Sequence, residues 1–235
     1  MSAENIFLIE EEVTKDLLEV LKIHLSGKEK QRATRSSTTN LDAYRLYTQG
    51  RSGLAQRTEA GIYQGLACFQ GSIELDPDYA LAWSGLADAM SLLQFYGFPI
   101  PRNSPGPIEA ATRAVELNKD LSEAHTSLGI FYSINQQGPA ALQELELAVD
   151  LSPGYAEALI WLGWVNLVLG RPKKAVKPAK QAVRLNPLSP AFRVFLSEIY
   201  LANRLQEESL TEARRAREIN PEYGLAHYME GLVLY

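Results

Sequence analysis

Along most of the chain apolar residues recur every three or four positions, the period of a helix with one buried face. Over residues 122–136 one stripe carries Ala124, Leu128, Phe131 and Tyr132. Gln137-Gly138-Pro139 breaks it, and Ala141, Leu142, Leu145, Ala148, Val149 and Leu151 form a second stripe. That pattern predicts two helices joined by a tight turn. The phrase then returns. Pro153, Pro187 and Pro221 stand 34 residues apart, closing "VDLSP", "VRLNP" and "REINP". Small residues keep the same phase (Gly129, Gly163, Ser197, Gly231), as do Ala114, Ala148, Ala182 and Ala216, and Leu128, Leu162 and Leu196. So many independent markers in one register predict a repeated helical hairpin.

Each marker has a steric reason. Gly129 and Gly163 lack the Cβ that would hold the first helix of a unit away from the second. Ala148 and Ala182 do the same where units meet. The prolines end each second helix, because the ring clashes with the preceding turn and supplies no N–H. Two places depart from the pattern. Trp83 and His125 hold equivalent positions yet are 42 residues apart, and the surplus falls in "QFYGFPIPRNSPGP", residues 94–107. The prolines there (99, 101, 105, 107) predict a loop, with Phe95, Tyr96, Phe98 and Ile100 either folded back over the array or functional. Pro178 falls inside a predicted second helix and should remove one hydrogen bond from it.

These residues resemble the tetratricopeptide repeat (TPR) family. Trp83, Leu86, Ala87, Ala114 and Leu117 fit its pattern in one unit, and Leu128, Gly129, Tyr132, Ala141, Ala148 and Pro153 in the next. Leu162, Gly163, Ala175, Ala182 and Pro187 follow, then Leu196, Tyr200, Ala216 and Pro221. A partial unit precedes them from about residue 41 to 77, and a last one stops after its first helix. The resemblance implies an all-α, right-handed superhelical solenoid of about five and a half repeats over residues 41–235.

Ahead of the array, Ile6, Ile9, Val13, Leu17, Val20 and Leu21 predict an amphipathic helix over residues 1–25, and the polar residues 26–40 a linker. "NIFLIEEEVTKDLLEVLKIHL", the linker and "NLDAYRLYTQGR" resemble a junction in bacterial signalling proteins. There a TolB-like segment leads into TPR units, behind an adenylate cyclase or a winged-helix DNA-binding domain. The resemblance implies the regulatory tail of such a protein, with a C-terminal fragment of a cyclase or transcription regulator as the alternative.

Composition narrows the function. The 235 residues carry a net charge of −5 and are 46% hydrophobic, which suits a folded chain. No apolar run reaches the ~18–20 residues of a membrane helix, and the acidic start does not read as a secretory signal, so a cytoplasmic location without membrane contact is expected. Nucleic acid is disfavoured by the acidity and by the lack of a dedicated motif. The single Cys68 leaves no internal disulfide or cysteine-rich metal site, and nothing basic adjoins it to activate the thiol. His125 and His227 take the position of Trp83 and read as packing residues, while His24 falls where the N-terminal helix should end. No P-loop, GxGxxG, GxSxG or HExxH is present. The expectation is a non-enzyme without cofactor or metal.

In TPR proteins the first helix of each unit lines the concave face. Carried onto this chain, the resemblance places Ile130, Ile160, Trp161, Trp164, Leu167, Val194, Phe195 and Tyr228 along that groove. An apolar helix or extended segment of a partner protein or peptide is the expected ligand. Some of these residues, Trp161 and Phe195 above all, are equally open to packing between repeats. The Lys, Arg and Asn set that one TPR subclass uses to grip a peptide carboxylate is missing. A basic stripe of Lys173, Lys177, Lys180 and Arg184 on one second helix reads first as a solvated face and secondarily as a contact for an acidic protein partner, for self-association or for a phosphate-bearing surface. Solenoids ordinarily close with a polar helix, so the apolar ending "GLVLY" reads either as a cut within a longer array or as an end covered by another subunit.

Overall fold

The computed structural model describes residues 38–102 and 104–235. The expected N-terminal helix, most of the linker and His24 lie outside them. The described residues form α1 (Leu41–Ala55), α2 (Glu59–Leu75), α3 (Ala80–Tyr96), α4 (Pro107–Leu117), α5 (Ser122–Ile134) and α6 (Gly138–Leu151). They continue with α7 (Ala156–Val168), α8 (Pro172–Leu185), α9 (Pro190–Ala202), α10 (Gln206–Ile219) and α11 (Gly224–Leu234). These are five antiparallel hairpins and a final first helix. From α3 onward each odd-numbered helix also packs on the next odd one, so the odd helices make the inner wall and the even helices the outer layer. The repeated helical hairpin read from the 34-residue period is observed, and the all-α solenoid that the family resemblance implies is the fold. The first unit is a full hairpin, α1 with α2, rather than a partial one.

The small residues act where the period placed them. A Cβ on Gly129 would stand 2.5 Å from Leu145 Cγ, and one on Gly163 3.1 Å from the Ala179 methyl and 3.2 Å from the Ala175 carbonyl. In the fourth unit the two helices therefore approach almost backbone to backbone, while in the third the Leu145 side chain fills the space over Gly129. The turn inside each hairpin requires a left-handed residue. Gly97 and Gly170 supply it at no steric cost, but Arg57, Gln136 and Arg204 take the same conformation with φ of 55–61°. α8 runs through Pro178 as one continuous helix.

Turns between units are also repeated. Tyr79, Leu121, Tyr155, Ser189 and Tyr223 each donate their N–H to the carbonyl three residues back, at Asp76, Asn118, Ser152, Asn186 and Asn220. The side chain at the equivalent position of the next helix then reaches back six residues. Trp83 Nε1 donates to the Pro77 carbonyl at 2.8 Å, His125 Nε2 to Lys119 at 2.9 Å, Arg193 Nη2 to Pro187 at 2.8 Å and His227 Nε2 to Pro221 at 2.7 Å. Only the fourth unit, with Leu159, lacks a donor there.

His125 is thus more than a packing residue. Its Nδ1 lies 2.7 Å from Glu144 Oε2 while its Nε2 meets a carbonyl, so both ring nitrogens face acceptors and the doubly protonated imidazolium fits. The Glu144 carboxylate accordingly raises the His125 pKa above its ordinary 6.5, against the opposing effect of burial. A raised folded-state pKa contributes stability that is complete below the unfolded value and is lost as pH rises through the folded one. Urea midpoints should therefore fall from pH 6 to pH 8. His125→Gln should remove that part of the pH dependence while leaving the helical circular dichroism intact.

Candidate functional site

The longest inner helix decides the shape of the concave face. The surplus residues of the second unit first extend α3 to Tyr96, so Gln94, Phe95 and Tyr96 are helical and the loop begins at Gly97. This corrects the expectation that the whole stretch avoids helix. Three of its four prolines lie in the loop, whereas Pro107 starts α4, where a missing N–H costs nothing. The overhang points Phe95 across the lumen. Its ring centroid lies 5.7 Å from that of Trp161, 6.3 Å from Trp164 and 6.0 Å from Phe195, all edge to face. Trp161 and Phe195 meet at 5.5 Å, and Trp164 stacks on Phe195 at 5.0 Å and 22°. Tyr96 Oη reaches Tyr223 Oη at 3.2 Å, tying α3 to the start of α11. Phe98 and Ile100 pack on the same core.

The expected open trough is corrected accordingly. Ile130, Ile160, Trp161, Val194 and Phe195 are buried, because the second unit of the same chain covers them or they lie between helices. Trp164 and Leu167 remain half-exposed, and Tyr228 is 63% exposed on α11. Lys173, Lys177, Lys180 and Arg184 are all exposed on α8, and none forms an ion pair among the described residues.

Beside the aromatic cluster lies a polar group that pattern reading missed. Arg57, on the left-handed turn between α1 and α2, places Nη2 2.7 Å from Glu157 Oε1 on α7. Trp161 Nε1 donates to the same oxygen at 3.1 Å. Arg51 on α1 places Nη1 3.1 Å from Asp88 Oδ2 on α3, and its Nη2 lies 3.5 Å from Tyr155 Oη. Asp88 Oδ1 accepts from Ser127 at 2.7 Å. The first unit is therefore clamped to the fourth across 100 residues of sequence. Burial disfavours the Glu157 carboxylate, but Arg57, Arg51 and the Trp161 indole outweigh it and hold the group below its ordinary range. At Asp88 burial wins over Arg51 and Ser127 and pushes the carboxyl up to about 6.

Arg51, Arg57, Asp88 and Glu157 wall a cavity of about 170 Å³, completed by Leu54, Leu92, Ile130 and Phe192 and by Ser189 at the start of α9. Among the described residues no cluster of three or more His, Cys, Asp or Glu comes together to hold a metal, and no helix is long and apolar enough to cross a membrane. Cys68 is half-buried, and burial raises its thiol pKa.

Comparison with known proteins agrees with the architecture. A tetratricopeptide-repeat family model matches twice, over residues 135–190 and 169–224. No curated protein sequence matches the chain. A thermophilic TPR protein of Thermus thermophilus superposes with a TM-score of 0.64 at 21% identity, over 82% of this chain and 98% of that one. The human IFIT1 dimer with m7Gppp-AAAA superposes with a TM-score of 0.67 at 16% identity, over 95% of this chain and 51% of that one. At these identities the likeness carries the fold alone. The two family matches place tetratricopeptide repeats over residues 135–224, and the helices on either side of that stretch stack on it as one helical solenoid.

Proposed function

We propose that the protein is a non-catalytic protein–protein interaction scaffold whose partner docks on the apolar ground left open at the C-terminal half of the inner wall. The observation that carries this reading is the half-exposed Trp164 and Leu167 beside the sealed aromatic cluster, with Tyr228 and Leu232 exposed on α11. Large apolar side chains left at a surface mark contact sites, and aromatic anchors dominate recognition energies. The partner is a protein or peptide with an apolar face. Nucleic acid fits less well, since Arg51 and Arg57 of the lumen are already neutralised by Asp88 and Glu157. The exposed stripe of Lys173, Lys177, Lys180 and Arg184 offers a second, weaker surface for an acidic partner or a second copy.

The resemblance of the first fifty residues to a TolB-like junction supports placing this scaffold in the regulatory tail of a bacterial signalling protein, in the cytoplasm. Trp164→Glu and Tyr228→Glu test the docking reading together. Each should leave the circular dichroism unchanged and reduce capture of a co-purifying partner by about tenfold or more, the loss of one hot-spot side chain. Undiminished capture by both variants would refute the site.

A further inference from the structure

We propose that the lumen cavity is a binding site for a small zwitterion of the aliphatic α-amino-acid class, a site separate from the protein-docking face. Its polar wall is only half satisfied. Arg57 is 10% exposed, yet of its guanidinium donors only Nη2 meets a protein acceptor among the described residues. Glu157 Oε1 accepts two hydrogen bonds while Oε2 accepts none from those residues. The pair neutralises itself, but its spare N–H donors suit the acceptor oxygens of a ligand and its spare carboxylate oxygen suits a ligand's N–H donors. The two stand side by side, and Asp88 adds a second carboxylate across the cavity.

The rest of the wall is mixed: Leu54, Leu92, Ile130 and Phe192 are apolar, while Asn186 and Ser189 add polar groups at one end. Size sets the class. An engineered cavity of roughly 150 Å³ accommodates benzene, so about 170 Å³ suits a molecule of leucine's size. Two arginines and two carboxylates leave the lining without net charge, so neither a lone cation nor a lone anion is favoured over a molecule carrying both. A carboxylate on Arg57 and an ammonium on Glu157 would also join the α1–α2 turn to α7, stiffening the closure of the solenoid.

Isothermal titration with L-leucine, isopentylamine and 4-methylpentanoate tests the site on the whole chain. L-leucine should bind with a Kd below about 1 mM, and the two singly charged analogues at least about tenfold more weakly. Arg57→Gln should weaken leucine binding by about tenfold or more. Ala55→Trp, at an exposed lining position that carries no ion pair, should block entry without touching the charges. No saturable heat with L-leucine overturns the proposal. So does equal binding of either analogue, or binding unchanged in Ala55→Trp.

Discussion

Glu157→Ala should destabilise the protein by about 3–5 kcal/mol, because it strands the buried Arg57 guanidinium without a counter-charge. Both side chains are nearly enclosed, at 10% and 13% exposure, so water cannot screen the loss as it would on the surface. The Trp161 indole would lose its acceptor at the same stroke. A chain of this size should then melt roughly 6–20 °C lower, at about 2–4 °C per kcal/mol. The double variant Arg57→Met, Glu157→Leu should recover most of the loss, since an apolar pair of similar volume needs no desolvation of charge. Thermal melts of the three proteins at one pH decide the matter. A single variant as stable as the wild type would mean that the first and fourth units do not meet.

Trp161→Ala should cost a similar amount, about 3–5 kcal/mol. The indole is 1% exposed and touches Phe95 from the second unit and Phe195 from the fifth. Removing it opens a cavity at the point where three units converge, and helices fixed by their own hairpins can collapse into it only partly. Trp164 stacks on the same Phe195 but is only partly buried, so its truncation should cost clearly less. Chemical denaturation of both alanine variants gives the comparison. Equal losses would mean that the two tryptophans are equally enclosed.

The repeat was legible because its steric requirements are local. Gly129 against Leu145, Gly163 against Ala179 and the prolines after each second helix recur every 34 residues, as the close packing they permit recurs. What closes the lumen was not legible in that way. Whether Phe95 reaches Trp161 depends on the rotation accumulated over two units, and no single window of sequence contains it. The surplus of eight residues was the available signal, and it marked the right place but suggested only a loop. Arg57 and Glu157 are 100 residues apart, and Arg57 holds a turn position that Gln136, Gly170 and Arg204 hold in other units. Its type therefore follows from a contact across the solenoid and not from the hairpin it belongs to. The groove positions carried over from the family suited an open trough, whereas here the chain's own second unit fills much of it.

A double-mutant cycle between Phe95 and Trp161 measures that closure directly. The rings lie 5.7 Å apart, edge to face, and belong to units separated by a whole intervening hairpin. If α3 folds across the inner wall, the alanine variants should be non-additive, with a coupling of about 0.5–1.5 kcal/mol. Losses that sum to within about 0.3 kcal/mol would show that the two aromatics do not touch and that the trough stands open.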